Sequence, residues 1–134
     1  MLVQHIVEDL KSIFKEHPQA EEYGIAFASY LEDGSGQIQL QEVEAFEWDD
    51  DDEFFLIPTG SSKHYGLKRK NFTGKEFLED LACLDEGVME FVAYARAKIK
   101  VAKDGSVASL NSPLWGTGYH QQARLVYFYH GNKT

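Results

Sequence analysis

The densest ionisable chemistry in this chain is the octapeptide FEWDDDDE, residues 46–53. Asp49, Asp50, Asp51, Asp52 and Glu53 follow one another directly. Glu47 and Trp48 stand just before them, and the apolar run Phe54-Phe55-Leu56-Ile57 just after. Such a density of carboxylates raises three kinds of chemistry. A divalent cation takes several oxygen ligands, but they must converge. Successive residues of an extended chain point to opposite faces, so a continuous run cannot all reach one ion. A pair such as Asp50 and Asp52 could join in a loose site. Acid–base catalysis needs one carboxyl of raised pKa beside another that stays ionised, and a solvated run offers no such contrast. A docking surface needs only a field and an anchor. The charges draw in a basic protein, and an aromatic such as Trp48 holds it. The sequence ranks a solvated acidic turn between two strands first, a docking role second and a metal third. No metal, cofactor or catalytic residue is assigned.

A basic counterpart follows in KHYGLKRK, residues 63–70. Lys63, Lys68, Arg69 and Lys70 read as a small patch for phosphate or carboxylate. The plainer reading is that they complement the acidic run or face water. No glycine-rich nucleotide motif accompanies them. The histidines, His5, His17, His64, His120 and His130, are scattered. They show no metalloprotease or cysteine–histidine spacing, so zinc is not expected. No Gly-x-Ser-x-Gly motif is present, and no serine triad is proposed. Trp115-Gly116-Thr117-Gly118-Tyr119 reads as an aromatic, glycine-rich loop. Glycines let a ligand or partner approach the backbone closely. With Tyr94 and His120 it outlines a candidate pocket: Tyr94, Trp115, Tyr119 and His120.

Composition bounds these readings. The chain has 134 residues, 43% of them hydrophobic and 13% aromatic, which is enough for one domain to bury a core. The single cysteine, Cys83, excludes an internal disulfide. Lying in the apolar stretch Leu81-Ala82-Cys83-Leu84, it is expected to be buried and inert. No secretory leader is legible, and no run approaches the ~18 apolar residues of a membrane span. A cytoplasmic protein is the expectation. The net charge of −9 is uneven: residues 1–62 hold 15 acidic and two basic residues, and residues 63–134 hold 7 and 11. The halves therefore carry −13 and +4. That field disfavours nucleic acid, whose phosphates need cations, and favours a basic partner for the first half.

The elements that must position these residues follow from periodicity. Leu2, Ile6, Leu10, Ile13 and Phe14 form one helical stripe, ended at His17-Pro18. Residues 23–46 read two ways. In one, YGIAFASYL and QIQLQEVEAF pair as a hairpin across EDGSG, with a bulge near Glu42 where the alternation slips phase. In the other, residues 31–42 resemble a calcium-binding EF-hand loop. Asp33, Ser35, Gly36, Ile38 and Glu42 stand at its third, fifth, sixth, eighth and twelfth positions. That resemblance implies a helix–loop–helix, but Leu31 replaces the first-position aspartate, so calcium binding is not expected. Phe54 to Ile57 reads as a buried strand. Thr73 and Glu76 form a capping box that opens a short helix. Residues 88–102 alternate as a long strand, with alanine's helix preference as the competing signal. Strands are expected at 106–110, broken by Asn111-Ser112-Pro113, and at 119–130.

The sum is an α+β domain, a mainly antiparallel sheet of five to six strands with an N-terminal helix and a second short helix on one face. No internal repeat is evident. The functional expectation is a non-enzymatic acidic binding protein, inhibitor- or immunity-like. It would dock a basic protein through the acidic segment that starts at Glu42 and ends at Glu53. The alternative is a small-molecule-binding or enzymatic domain with its aromatic pocket near Trp115 and His120. An exposed strand edge could also pair two copies.

Overall fold

The computed structural model describes residues 1–30, 38–58, 72–100 and 107–131. The expected α+β class holds. Helix α1 (Val3–Glu16) leads through a 3₁₀ turn (Pro18–Glu22) into β1 (Gly24–Tyr30), β2 (Ile38–Trp48) and β3 (Glu53–Pro58). Helix α2 (Gly74–Ala82) leads through a second 3₁₀ turn (Val88–Glu90) into β4 (Val92–Lys100), β5 (Val107–His120) and β6 (Leu125–His130). The six strands close into a barrel in sequence order. Pairing is antiparallel within β1-β2-β3 and within β4-β5-β6, and parallel at the β3–β4 and β6–β1 seams.

This order is one unit used twice, helix, 3₁₀ turn and three-stranded meander. The registers match pair for pair. Ala26 pairs with Glu42 as Tyr94 pairs with Pro113, and Val43 with Pro58 as Leu114 with His130. In each unit the middle strand changes partner halfway. β2 pairs with β1 through residues 38–42 and with β3 through 43–48. β5 pairs with β4 through 107–113 and with β6 through 114–120. A bulge follows each change, at Val43/Ala45 and at Leu114/Gly116, where an extra residue bends the strand. The helices obey the same relation. Leu2, before α1, bridges to Val92 of β4, and Thr73, before α2, bridges to Gly24 of β1. Val3, Ile6 and Leu10 thus correspond to Gly74, Phe77 and Leu81, and all six are buried. The two units share almost no residues in register. The signal that remains is Glu8-Asp9-Leu10 against Glu79-Asp80-Leu81.

Alternation puts Ile25, Phe27, Val43, Phe54, Leu56, Ala93, Ala95, Leu114, Val126 and Phe128 on one face of the ring. There they merge with the buried stripes of both helices into one cluster. Ala26, Ala28, Leu125 and Tyr127 form a smaller cluster on the other face. Thr73 caps α2 as its spacing predicts: its hydroxyl accepts from the Glu76 N–H, and its own N–H donates to Glu76 Oε1. His17 ends α1.

Of residues 23–46, the described strands pair as the hairpin requires, and the expected EDGSG turn lies outside the described residues. Strands flank residues 31–37, so the EF-like helix–loop–helix does not form. The expected bulge lies two residues on, at Glu44, and Leu40 and Val43 face opposite sides of the sheet rather than one. Residues 88–102 contain a strand, which starts at Val92. Pairing to β3 on one edge and β5 on the other outweighs alanine's helix preference.

Four further expectations fail. Pro113 does not break β5, which runs through it. It stands where β5 leaves β4 for β6, next to a bulge, a strand position that accepts a residue without an N–H. The last strand therefore starts at Leu125, not Tyr119, and residues 115–119 are strand rather than loop. Gly118 serves packing, since a Cβ there would lie 2.8 Å from the Tyr127 ring. Cys83 is exposed, because α2 ends at Ala82 and Leu81 already faces the core.

Candidate functional site

β2 and β5 run against the other four strands. The β2–β3 and β5–β6 turns therefore lie at the same end of the barrel, where β1 and β4 begin. The first of these turns is the acidic one. Asp49 builds it: its Oδ1 accepts from the N–H of Asp51 at 3.0 Å and of Glu53 at 3.1 Å, and its own N–H donates to the Glu53 carbonyl at 3.1 Å. Asp52 closes it with φ of 60°, a left-handed conformation that aspartate tolerates better than most residues. Asp49 through Asp52 are exposed and Glu53 half-buried. Asp49, Asp51 and Glu53 each bring a carboxylate oxygen within 4.8 Å of the other two, a trio different from the Asp50–Asp52 pair read from alternation. A tight turn, not an extended strand, sets that geometry.

Trp48 is the last residue of β2 and remains 45% exposed. Its ring stacks on Phe46 at 6.4 Å, and Phe46 is packed against Phe54, Phe72 and Phe77. Glu47 points to the opposite face of the sheet. It pairs with Arg96, which also lies 4.5 Å over the Phe55 ring and donates to Asn111. Glu44, in the bulge, is buried. The solvent-facing acidic surface of the segment is therefore centred on residues 49–53. The 3₁₀ turn before β4 adds exposed Glu90 at the same end, since the Glu53–Val92 register brings the start of β4 beside the acidic turn.

The register makes the second turn, residues 121–124, the counterpart of the first. His120 replaces Asp49 as its cap, accepting from the Ala123 N–H on Nδ1 at 3.0 Å. Arg124 replaces Asp52, with φ of 54°. Its guanidinium lies 4.0 Å from Glu22, and both side chains are exposed. Tyr119 replaces Trp48. It is 37% exposed, and its hydroxyl meets His17 Nε2 at 2.8 Å.

The four residues of the expected aromatic pocket have separate surroundings. Tyr94 stacks on Phe55 at 5.8 Å, and Trp115 stacks on Tyr129 at 4.8 Å and donates its indole N–H to the Gly131 carbonyl. Tyr119 rests on His17, and His120 caps the turn. Lys68, Arg69 and Lys70 lie outside the described residues. Sequence reasoning missed two things, the equivalence of the two turns and a contact between α1 and β5, where Thr117 Oγ1 donates to Asp9 Oδ2 at 2.8 Å. The repeated Glu-Asp-Leu triplet was the signal for the first.

No helix among the described residues is long and apolar enough to cross a membrane. Comparison with family models, with curated proteins and with solved structures found no match.

Proposed function

We propose that this chain is a non-enzymatic acidic binding protein of the inhibitor or immunity type, docking a basic protein through the acidic segment between Glu42 and Glu53. One observation carries the proposal. The fold builds the same turn twice, and what both copies share is a side-chain acceptor at the cap and a left-handed residue before the next strand. His120, Gln121, Gln122, Ala123 and Arg124 meet that need with one full charge. Asp50, Asp51 and Glu53 therefore add negative charge that the turn does not require. Like charges about 5 Å apart repel by just under ~1 kcal/mol per pair even in water, so the run works against folding. A cationic partner would turn that repulsion into attraction, with the field speeding encounter and Trp48 supplying the aromatic anchor. Exposed Glu90, two residues before Val92, adds to the same surface.

The aromatic-pocket alternative has less support. Its residues are engaged with different neighbours, and the Trp115 indole N–H and one His120 ring nitrogen are already used within the fold.

The test is capture from the source lysate at low and moderate salt, with the Asp49→Asn, Asp50→Asn, Asp51→Asn, Asp52→Asn variant as control. Asparagine keeps the cap acceptor and tolerates the left-handed position, so the turn survives while its charge goes. The expected result is a basic protein that binds the native chain, leaves with salt and ignores the variant. A partner held equally by both chains would rule the proposal out.

A further inference from the structure

The two-fold relation also singles out a place where one unit is filled and the other is not. Between α1 and β5 lies an open cleft of about 230 Å³, lined by Asp9, Ser12, Ile13 and Thr117. The registers place Phe46 where Thr117 stands and Trp48 where Tyr119 stands. The helix correspondence places Asp80, Cys83 and Leu84 where Asp9, Ser12 and Ile13 stand. In the α2–β2 unit the Phe46 ring fills this position, stacked on Phe54 and Phe72 and meeting Phe77 edge-on. The same topology thus closes with hydrocarbon in one unit and opens onto a carboxylate and two hydroxyls in the other. The cleft is a property of these residues and not of the fold.

Its chemistry selects the ligand. Thr117 donates to one oxygen of the half-buried Asp9 carboxylate and fixes its orientation. The other Asp9 oxygen and the Ser12 hydroxyl are further acceptors, and among the described residues Asp9 makes no ion pair. Tyr119, held against His17 at a ring separation of 4.6 Å, continues the same strand face two residues on. Oriented acceptors with a net negative charge bind a donor-rich cation and repel an anion. The volume lies below the range of drug-sized pockets, which suits one charged head group with a short stem. We infer that the α1–β5 cleft binds a guanidinium or alkyl-ammonium group, with Asp9 as its counter-ion. Such a group belongs either to a small free amine or to an arginine or lysine side chain of a partner. The inference is independent of the acidic turn.

The experiment is an amide-resolved NMR titration of the full chain with two cations and a neutral control. Agmatine stands for the free small molecule, doubly capped arginine for a protein side chain, and doubly capped citrulline for the uncharged isostere. Saturable shifts at residues 9–13 and 116–118 are expected for at least one cation and not for citrulline. Asp9→Asn should weaken binding at least tenfold. Thr117→Phe, which copies the filled unit, should abolish it, with its thermal melt reporting whether the fold is kept. The tighter of the two cations identifies the source. Absence of saturable shifts in the cleft, equal shifts with citrulline, or undiminished binding by Asp9→Asn would overturn the inference. The variant neutralised at Asp49 through Asp52 should keep the cleft shifts, so a failure of the acidic-turn proposal would be read separately.

Discussion

The acidic turn after Trp48 and the nearly neutral turn after Tyr119 are the same piece of structure made from different residues. Each follows an exposed aromatic, has a side-chain cap and ends on a residue of positive φ. Their common features mark what the barrel needs at this end. Their difference, a run of carboxylates against glutamines and an alanine, marks what it does not need. The comparison extends inward. Phe46 and Thr117 occupy one position in the two units, and the first completes an aromatic core while the second opens a polar cleft. One architecture therefore provides its own control, because a feature present in only one unit cannot be ascribed to the fold.

The largest effects should come where the units agree. Leu10 and Leu81 are equivalent and fully buried, so Leu10→Ala and Leu81→Ala should each lower stability by about 2–5 kcal/mol in urea unfolding. A loss below ~1 kcal/mol for either would break the equivalence.

Where the units differ at His130 and Pro58, pH should expose the difference. His130 is 5% exposed with neither ring nitrogen hydrogen-bonded, and its ring lies perpendicular to that of Phe27 at 5.3 Å. Burial pushes its pKa below the ordinary value of 6.5. The unfolded chain thus takes up a proton that the folded chain resists. Stability from this group is full above the ordinary value and falls as pH drops below it toward the folded one. His130→Phe should remove that part of the pH slope. Since a buried unpaired polar group costs about 1–3 kcal/mol, the variant should also be no less stable near neutrality. Thermal melts from pH 5 to 8 would check both.

A smaller contrast concerns the left-handed residues. Arginine is strained at φ of 54°, whereas aspartate accommodates φ of 60° more readily. Arg124→Gly should raise stability by up to about 1 kcal/mol and Asp52→Gly by less. Equal gains would mean that the two turns are not held alike. Smallest of all, neutralising Asp49 through Asp52 should raise stability by no more than about 0.5 kcal/mol at physiological salt, because screening weakens the repulsion, the same adjacent charges also crowd one another in the unfolded chain, and the cap is kept. A large loss would make the charges structural.

Much of this fold was legible in the sequence because local signals agreed with the tertiary result. The α1 stripe, the Thr73–Glu76 capping box, the buried run from Phe54 to Ile57 and the hairpin around residues 31–37 each follow from spacing. What was not legible depends on strand partners. Pro113 reads as a breaker until one knows that β5 changes neighbours there. Trp115 through Tyr119 read as a loop until Gly118 is seen to make room for Tyr127. The repeat was hidden because its two copies match in burial and register rather than in residue type. The acidic turn was legible as a turn, but only its counterpart shows that its charge exceeds what the turn requires.

Docking through the acidic turn is tested by the association rate of the captured basic partner with the native chain and with the variant neutralised at Asp49 through Asp52, measured across a range of salt. The expected result is a rate at least tenfold lower for the variant at low salt, with a much flatter salt dependence and little change in thermal stability. Equal rates and equal salt slopes for the two chains would contradict it.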